Sequence, residues 1–280
     1  MITADHLIGK IQGLEVIKTF PATGQKQVYL VKTCEYGTVI LKIVKNMDER
    51  IAREIEIVTQ NDFRDVPKII INDSIEINGE VYYYIIEEYI DGQNLKEVLQ
   101  NGAMKLPDCM KLLRSLLETV VELETINIVH RDIKPENIIW SKDGRFYLID
   151  FGIARNLNLS SLTLTKMAVG PHTPGYGAPE LFQYKKADIN SKADLFSIGV
   201  VIYEAIFGKH PFLSGNEFDY NEIWYKTATA APNDLIIEGD NDKQLIGFIQ
   251  TLMQKHVSRR PPSAQKALEW FCIVDDTLAL

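Results

Sequence analysis

The chain has 280 residues, 46% of them apolar and 24% charged, which suits one large domain or two smaller ones with a sizeable core and excludes a disordered or fibrous chain. Its formal net charge of −8 argues against nucleic acid or an anionic membrane surface as partner. Cys34, Cys109 and Cys272 stand too far apart for a metal or disulfide framework and read as small semi-buried apolar residues in a reducing compartment. The N-terminus lacks the pattern of a leader peptide, and no apolar run approaches the roughly 18 residues of a spanning helix, so a soluble cytoplasmic chain with no membrane partner is expected.

In chain order, residues 14–20, 27–33 and 38–44 are rich in β-branched and aromatic residues and are predicted strands, with Glu35-Tyr36-Gly37 as a turn. Residues 47–60 switch to helical spacing, with Ile51, Ile55 and Val58 on one face. Residues 67–77 and 81–90 are predicted strands joined by Asn78-Gly79, a strong hairpin signal. A short helix over 95–99 and a long amphipathic one over 107–126 follow, the latter striped by Met110, Leu113, Leu117 and Val120. Residues 153–177 read as irregular. Residues 191–207 are so apolar that a buried helix is predicted, and 216–229, 242–255 and 263–276 complete the helices. The first 90 residues are thus mostly sheet and the rest mostly helix. This predicts an α+β chain with units 1–90 and 91–280 and a ligand bound in the cleft between them.

One stretch carries the chemistry. His130-Arg131-Asp132-Ile133-Lys134-Pro135-Glu136-Asn137 is followed by two short apolar runs joined by Ser141-Lys142-Asp143-Gly144, then by Asp150-Phe151-Gly152. A hairpin puts its open ends side by side, so Asn137 and Asp150 can converge near Asp132. Two oxygen ligands beside a third carboxylate suit a hard cation such as Mg²⁺ and a group that accepts a proton.

These residues, with Ala178-Pro179-Glu180 in the expected order, resemble a eukaryotic-type Ser/Thr protein kinase domain over about residues 14–274. The resemblance implies a bilobal fold and transfer of the γ-phosphate of ATP, with Mg²⁺ or substituting Mn²⁺, to Ser/Thr hydroxyls of proteins, the chain itself included. It makes Asp132 the catalytic base and places Lys134 at the transferred phosphate. Asn137 and Asp150 become the metal ligands. Lys42 pairs with the α and β phosphates, and Glu54 positions it, with Glu56 or Glu49 as alternatives. Backbone groups of Glu88 and Ile90 meet adenine, Val28, Ile40 and Ile139 sandwich it, and Asn94 or Asp91 reaches the ribose. His130, Arg131 and Asp194 are given structural roles around the catalytic loop, and Glu180 pairs with Arg260, with Arg259 as competitor. Arg131 implies a phosphate on Ser160, Ser161, Thr163 or Thr165, while Thr173 lines the substrate groove.

The sequence departs from the family in a few places. Aligned on Val28, the positions usually held by three glycines carry Pro21, Thr23 and Lys26, with Gly24 remaining between them. Glycines let backbone N–H groups approach phosphates, so Lys26 is expected to replace some of those dipoles with a charge. Glu87 stands at the gatekeeper position, Ile40 where Ala is usual, and His172 where Gly precedes Thr173. The altered loop keeps a second reading open, a pseudokinase acting as a binding or scaffold module. A third, a small-molecule kinase of the aminoglycoside type, is opposed by Lys134 and Glu180.

Overall fold

A computed structural model describes residues 3–21, 26–45, 47, 49–151, 154–156, 174–183, 188–232 and 236–278. The chain divides into two compact units, Met1–Asp91 and Gly92–Leu280.

The first unit holds strands β1 (Glu15–Thr19), β2 (Lys26–Thr33) and β3 (Gly37–Val44), helix α1 (Glu49–Gln60), and strands β4 (Ile69–Ile77) and β5 (Glu80–Glu88). The strands form one antiparallel sheet in the order β1-β2-β3-β5-β4. Asn78 and Gly79 join β4 to β5 with φ of 54° and 77°, the left-handed pair that a two-residue hairpin turn needs. Alternation then sorts side chains onto two faces. Tyr29, Val31, Val39, Leu41, Ile43, Tyr84 and Ile86 face one way, where a 3-10 turn at Ala4–Leu7 plugs them with Ala4, Leu7, Ile11 and Leu14. Lys10 ties this segment down through Asp73 at 3.0 Å and lies over the Tyr84 ring. On the other face Val44 and Ile85 pack on Ile51 and Ile55 of α1. The register pairs Val28 with Lys42, Ile40 with Glu87 and Lys42 with Ile85, so these side chains share the α1 face.

The second unit opens with β6 (Gly92–Asn94), α2 (Leu95–Leu99) and α3 (Leu106–Thr125), followed by β7 (Ile128–Val129), β8 (Ile138–Ser141), β9 (Phe146–Leu148) and β10 (Arg155–Asn156). It continues through α4 (Pro179–Phe182), α5 (Ser191–Phe207), α6 (Tyr220–Thr229), α7 (Gln244–Leu252) and α8 (Ala264–Asp275). β6, β8 and β9 make a three-stranded sheet, and β7 pairs with β10. α5 is buried on nearly all sides, as its apolar run predicts. Asn190 caps it by accepting from Lys192 N, and Gly208 ends it in the left-handed conformation. The stripe predicted for α3 is buried, but Cys109, Leu112, Leu116 and Leu123 are buried too. The buried face is wide because α3 packs on α5, α8, β7 and β9 together.

Helices α6 and α7 are each shorter than predicted by several residues. α6 starts at Tyr220 rather than 216 because Asp219 caps it and Glu217 instead gathers the N–H groups of Ser214 and Gly215 into a turn. α7 starts at Gln244 rather than 242 and stops at Leu252 rather than 255; beyond it Lys255 donates to Thr227 O at 2.6 Å. Cys34 departs from the semi-buried reading, being exposed in the turn after β2, while Cys109 is buried.

α5 and α7 approach so closely at Gly199 that a Cβ there would lie 2.7 Å from Met253 Cγ, 2.9 Å from Leu252 Cβ and 3.3 Å from Ile249 O. Gly199→Ala should therefore lower stability by about 1–2 kcal/mol, overpacking outweighing the helix preference for alanine. Urea denaturation of the two proteins checks this, and an equal or higher midpoint for the variant would show that α7 yields at no cost.

Candidate active site

In the second unit, β7 delivers the chain into residues 130–134, and the first turn of α5 fixes that backbone. Asp194, fully buried, accepts from His130 N and Arg131 N, each at 2.8 Å. Burial pushes its carboxyl up to about 7, and the two N–H donors act against that shift. Arg131 has φ of 68°, a left-handed conformation costing a bulky residue on the order of 1–2 kcal/mol, which the Asp194 bonds offset. His130 is buried with its ring edge-on to Phe151 at 4.7 Å, and Nδ1 accepts from Asp132 N at 3.3 Å. Burial pulls this imidazole down to about 4, so it stays neutral at neutral pH.

Three polar side chains meet here. Asp132 Oδ2 receives Lys134 Nζ at 2.8 Å and Asn137 Nδ2 at 2.9 Å. Asn137 Nδ2 also donates to Asp132 O at 2.9 Å, while Asn137 O accepts from Ile149 N at 2.9 Å. The last bond ties the residue before β8 to the end of β9, as a hairpin's open ends allow. With both Nδ2 hydrogens drawn to Asp132, the amide oxygen of Asn137 is the end left for a cation. Asp150 is exposed with φ of 66°, a second left-handed non-glycine residue in this region. An amide oxygen and a carboxylate are hard donors, and Mg²⁺ is commonly held by one or two such groups together with phosphate oxygens, so the residues fit a divalent cation.

The first unit holds a buried lysine, Lys42 on β3. Its Nζ lies 3.0 Å from Glu54 Oε1 on α1 and 2.7 Å from Glu87 Oε1 on β5. Lys26 on β2 reaches the other oxygen of Glu54 at 2.5 Å. Burial disfavours the Lys42 charge, but the two carboxylates outweigh it and raise the ammonium above its ordinary range. Burial likewise pushes Glu54 up, yet Lys42 and Lys26 more than offset it and hold the carboxyl down to about 2. Burial dominates at Glu87 and raises it. Lys26, expected to lend its charge to phosphates, has its ammonium against Glu54. Sequence reading missed the Glu87 contact with Lys42. The signal was the strand register, which sets Glu87 opposite Ile40 and thus diagonal to Lys42 on one face.

The other predicted residues are placed as follows. Val28 and Ile40 lie on the Lys42 face, half-buried; Ile90 is buried and Glu88 exposed. Ile139 on β8 pairs with Asn94 on β6. Asn94, expected at the ribose, caps α2 by accepting from Lys96 N at 2.8 Å and donates Nδ2 to Glu136 O. Glu56 is exposed. Thr23, Gly24, Ser160, Ser161, Thr163, Thr165, His172 and Thr173 lie outside the described residues, as does the side chain of Glu49. Glu180 and Arg260 are buried and joined by two bonds of 2.6 and 2.9 Å, whereas Arg259 is exposed.

His210 gives a pH prediction. Its Nδ1 accepts from Phe212 N at 3.2 Å and Leu213 N at 3.1 Å, and Nε2 lies 3.2 Å from Gly175 O. Burial lowers this imidazole to about 4, against an unfolded value near 6.5. Between these values the unfolded chain binds a proton that the folded chain refuses, so stability falls as pH drops through that window. His210 should cost about 2 kcal/mol between pH 7 and pH 5. Urea midpoints of the unaltered chain and His210→Gln at both pH values check it; a drop as steep in the variant would exclude this histidine as a source.

Among the described residues, no helix is long and apolar enough to cross a membrane. The chain is similar to a Ser/Thr protein kinase of Schizosaccharomyces pombe, cds1, at 28% identity over 92% of this chain and 56% of that protein. It is 30% identical to the stk11 homolog, a Ser/Thr protein kinase of Dictyostelium discoideum, over 78% of this chain and 36% of that one. It is 28% identical to the Ser/Thr protein kinase pkn2 of Myxococcus xanthus over 95% of this chain and 33% of that one. The chain thus spans from about half to about a third of the length of these relatives. The model of the protein kinase domain matches residues 10–271. On that match, which takes in the buried lysine of the first unit and the Asp132 cluster of the second, the chain belongs to the protein kinase domain family.

Proposed function

We propose that this chain transfers the γ-phosphate of ATP to serine and threonine hydroxyls of proteins, its own included. The observation that carries the reading is the cluster in which Lys134 and Asn137 converge within 2.9 Å on one oxygen of Asp132, over a backbone clamped by Asp194. A transferring phosphoryl group carries spread negative charge, so catalysis consists mainly of placing cations and dipoles around it.

Asp132 receives the proton of the acceptor hydroxyl as that oxygen attacks the γ-phosphorus, whose bond to the bridging β-phosphate oxygen breaks so that ADP leaves. Lys134, already beside Asp132, supplies a positive charge where the phosphoryl oxygens pass. Lys42, its ammonium aimed by Glu54, takes the α and β phosphates, with Val28 and Ile40 on the same sheet face against adenine. Asn137 through its amide oxygen and Asp150 through its carboxylate would hold Mg²⁺ or Mn²⁺, which supplies neutralisation of phosphate charge when bound. We read Met1–Asp91 as the nucleotide lobe and Gly92–Leu280 as the catalytic lobe of a cytoplasmic enzyme whose cysteines stay reduced.

Incubation with γ-labelled Mg-ATP and a generic basic protein tests the reading. Label on serine or threonine of that protein is expected. Label on tyrosine alone would overturn the acceptor class, and no label above a chain-free blank would favour a binding module instead.

A further inference from the structure

Four charged side chains on the α1 face of the first sheet form an alternating line, Lys26–Glu54–Lys42–Glu87, with successive separations of 2.5, 3.0 and 2.7 Å. All four are less than one-fifth exposed. Two of them, Lys26 and Glu87, stand where the sequence departs from its family, and the departures are opposite in sign. An ammonium has three N–H donors. Among the described residues the two carboxylates engage two donors of Lys42, and a third is left for an incoming anion. Glu54, Lys42 and Glu87 alone would carry a net negative charge, and Lys26 brings the four to neutrality.

We propose that Lys26 and Glu87 are a compensating pair of positioning residues. Glu87 gives Lys42 a second carboxylate that fixes the direction of its remaining donor. Lys26, acting through Glu54, cancels the charge Glu87 adds, so that the polyphosphate of ATP meets a neutral group rather than an anionic one. This rests on the reading that Lys42 receives the ATP phosphates.

Lys26→Met leaves the group net negative. It should raise the ATP KM, and the Kd for Mg-ATP measured by titration calorimetry, about tenfold, with kcat within about threefold of the unaltered chain. Glu87→Gln leaves it net positive and Lys42 held on one side only. It should lower kcat about tenfold without raising KM. Glu87→Asp, which keeps the charge, should recover most of that kcat. In the double variant Lys26→Met/Glu87→Gln, KM and Kd should return to within about threefold of the unaltered chain while kcat stays low.

A double variant that keeps the raised KM of Lys26→Met would mean that Lys26 meets phosphate directly, and would overturn the proposal. A Glu87→Gln variant with unaltered kcat would do the same. If a single variant fails to fold, recovery of folding in the double variant supports the pairing, and a double variant no more stable than the worse single one refutes it. Absence of phosphate transfer by the unaltered chain would sink the kinase reading alone, because the calorimetric Kd values still decide the pairing. Absence of Mg-ATP binding by the unaltered chain would overturn both.

Discussion

Replacing Asp132 with Asn should slow phosphate transfer to a protein acceptor by about 10²–10⁴-fold while Mg-ATP binding changes little. Asn keeps the size of the side chain and one oxygen for Lys134 and Asn137, which approach Asp132 Oδ2 at 2.8 and 2.9 Å. What it lacks is the basicity to take the hydroxyl proton. The backbone does not depend on this side chain, since Asp194 holds His130 N and Arg131 N and Asn137 also binds Asp132 O. Initial rates with labelled ATP, beside the calorimetric Kd, check the prediction. A variant retaining more than about a tenth of the rate would remove Asp132 from the role of base.

The second large effect concerns stability. Arg260 is fully buried and donates to both oxygens of Glu180, and also to Gln254 O at 2.7 Å and Lys192 O at 2.8 Å. Its guanidinium lies 4.9 Å over the Phe196 ring. Glu180→Ala would strand this cation inside the protein, and breaking such a buried pair costs about 3–5 kcal/mol. That is at least about a fifth of the stability of an ordinary domain, roughly 5–15 kcal/mol. Urea denaturation should show it directly. Replacing both partners with apolar residues, Glu180→Leu with Arg260→Met, should cost less than Glu180→Ala alone, because no unpaired charge is left behind. A double variant less stable than Glu180→Ala would show that the carbonyl bonds of Arg260, and not its charge pairing, dominate.

Much of the fold was legible because local signals agreed with tertiary needs. Asn78-Gly79 specified its hairpin, and the apolar run at 191–207 could only be a buried helix. The errors arose where a side chain reached outside its own element. Glu217 and Asp219 reset the start of α6, and two-residue β7 and β10 exist only because the fold brings them side by side. In the site, Asp132, Lys134 and Asn137 sit five residues apart or less, so their convergence needed only local geometry. The line through Lys26, Lys42, Glu54 and Glu87 draws on three strands and a helix. The resemblance implied the link of Lys42 to Glu54, but neither spacing nor composition tied Lys26 to Glu54 or Glu87 to Lys42.

The turn at Ala4–Leu7 sets a practical lower limit on any recombinant fragment. A clone begun at Glu15 would strip Leu7 and Ile11 from the sheet and leave Val31, Leu41, Ile43 and Ile86 facing water. An apolar patch of that kind promotes self-association, so low solubility of such a clone would reflect a missing plug and not a defective catalytic centre. Affinity tags are therefore best joined ahead of Thr3 through a polar spacer, which keeps Lys10 on Asp73 and the plug in place.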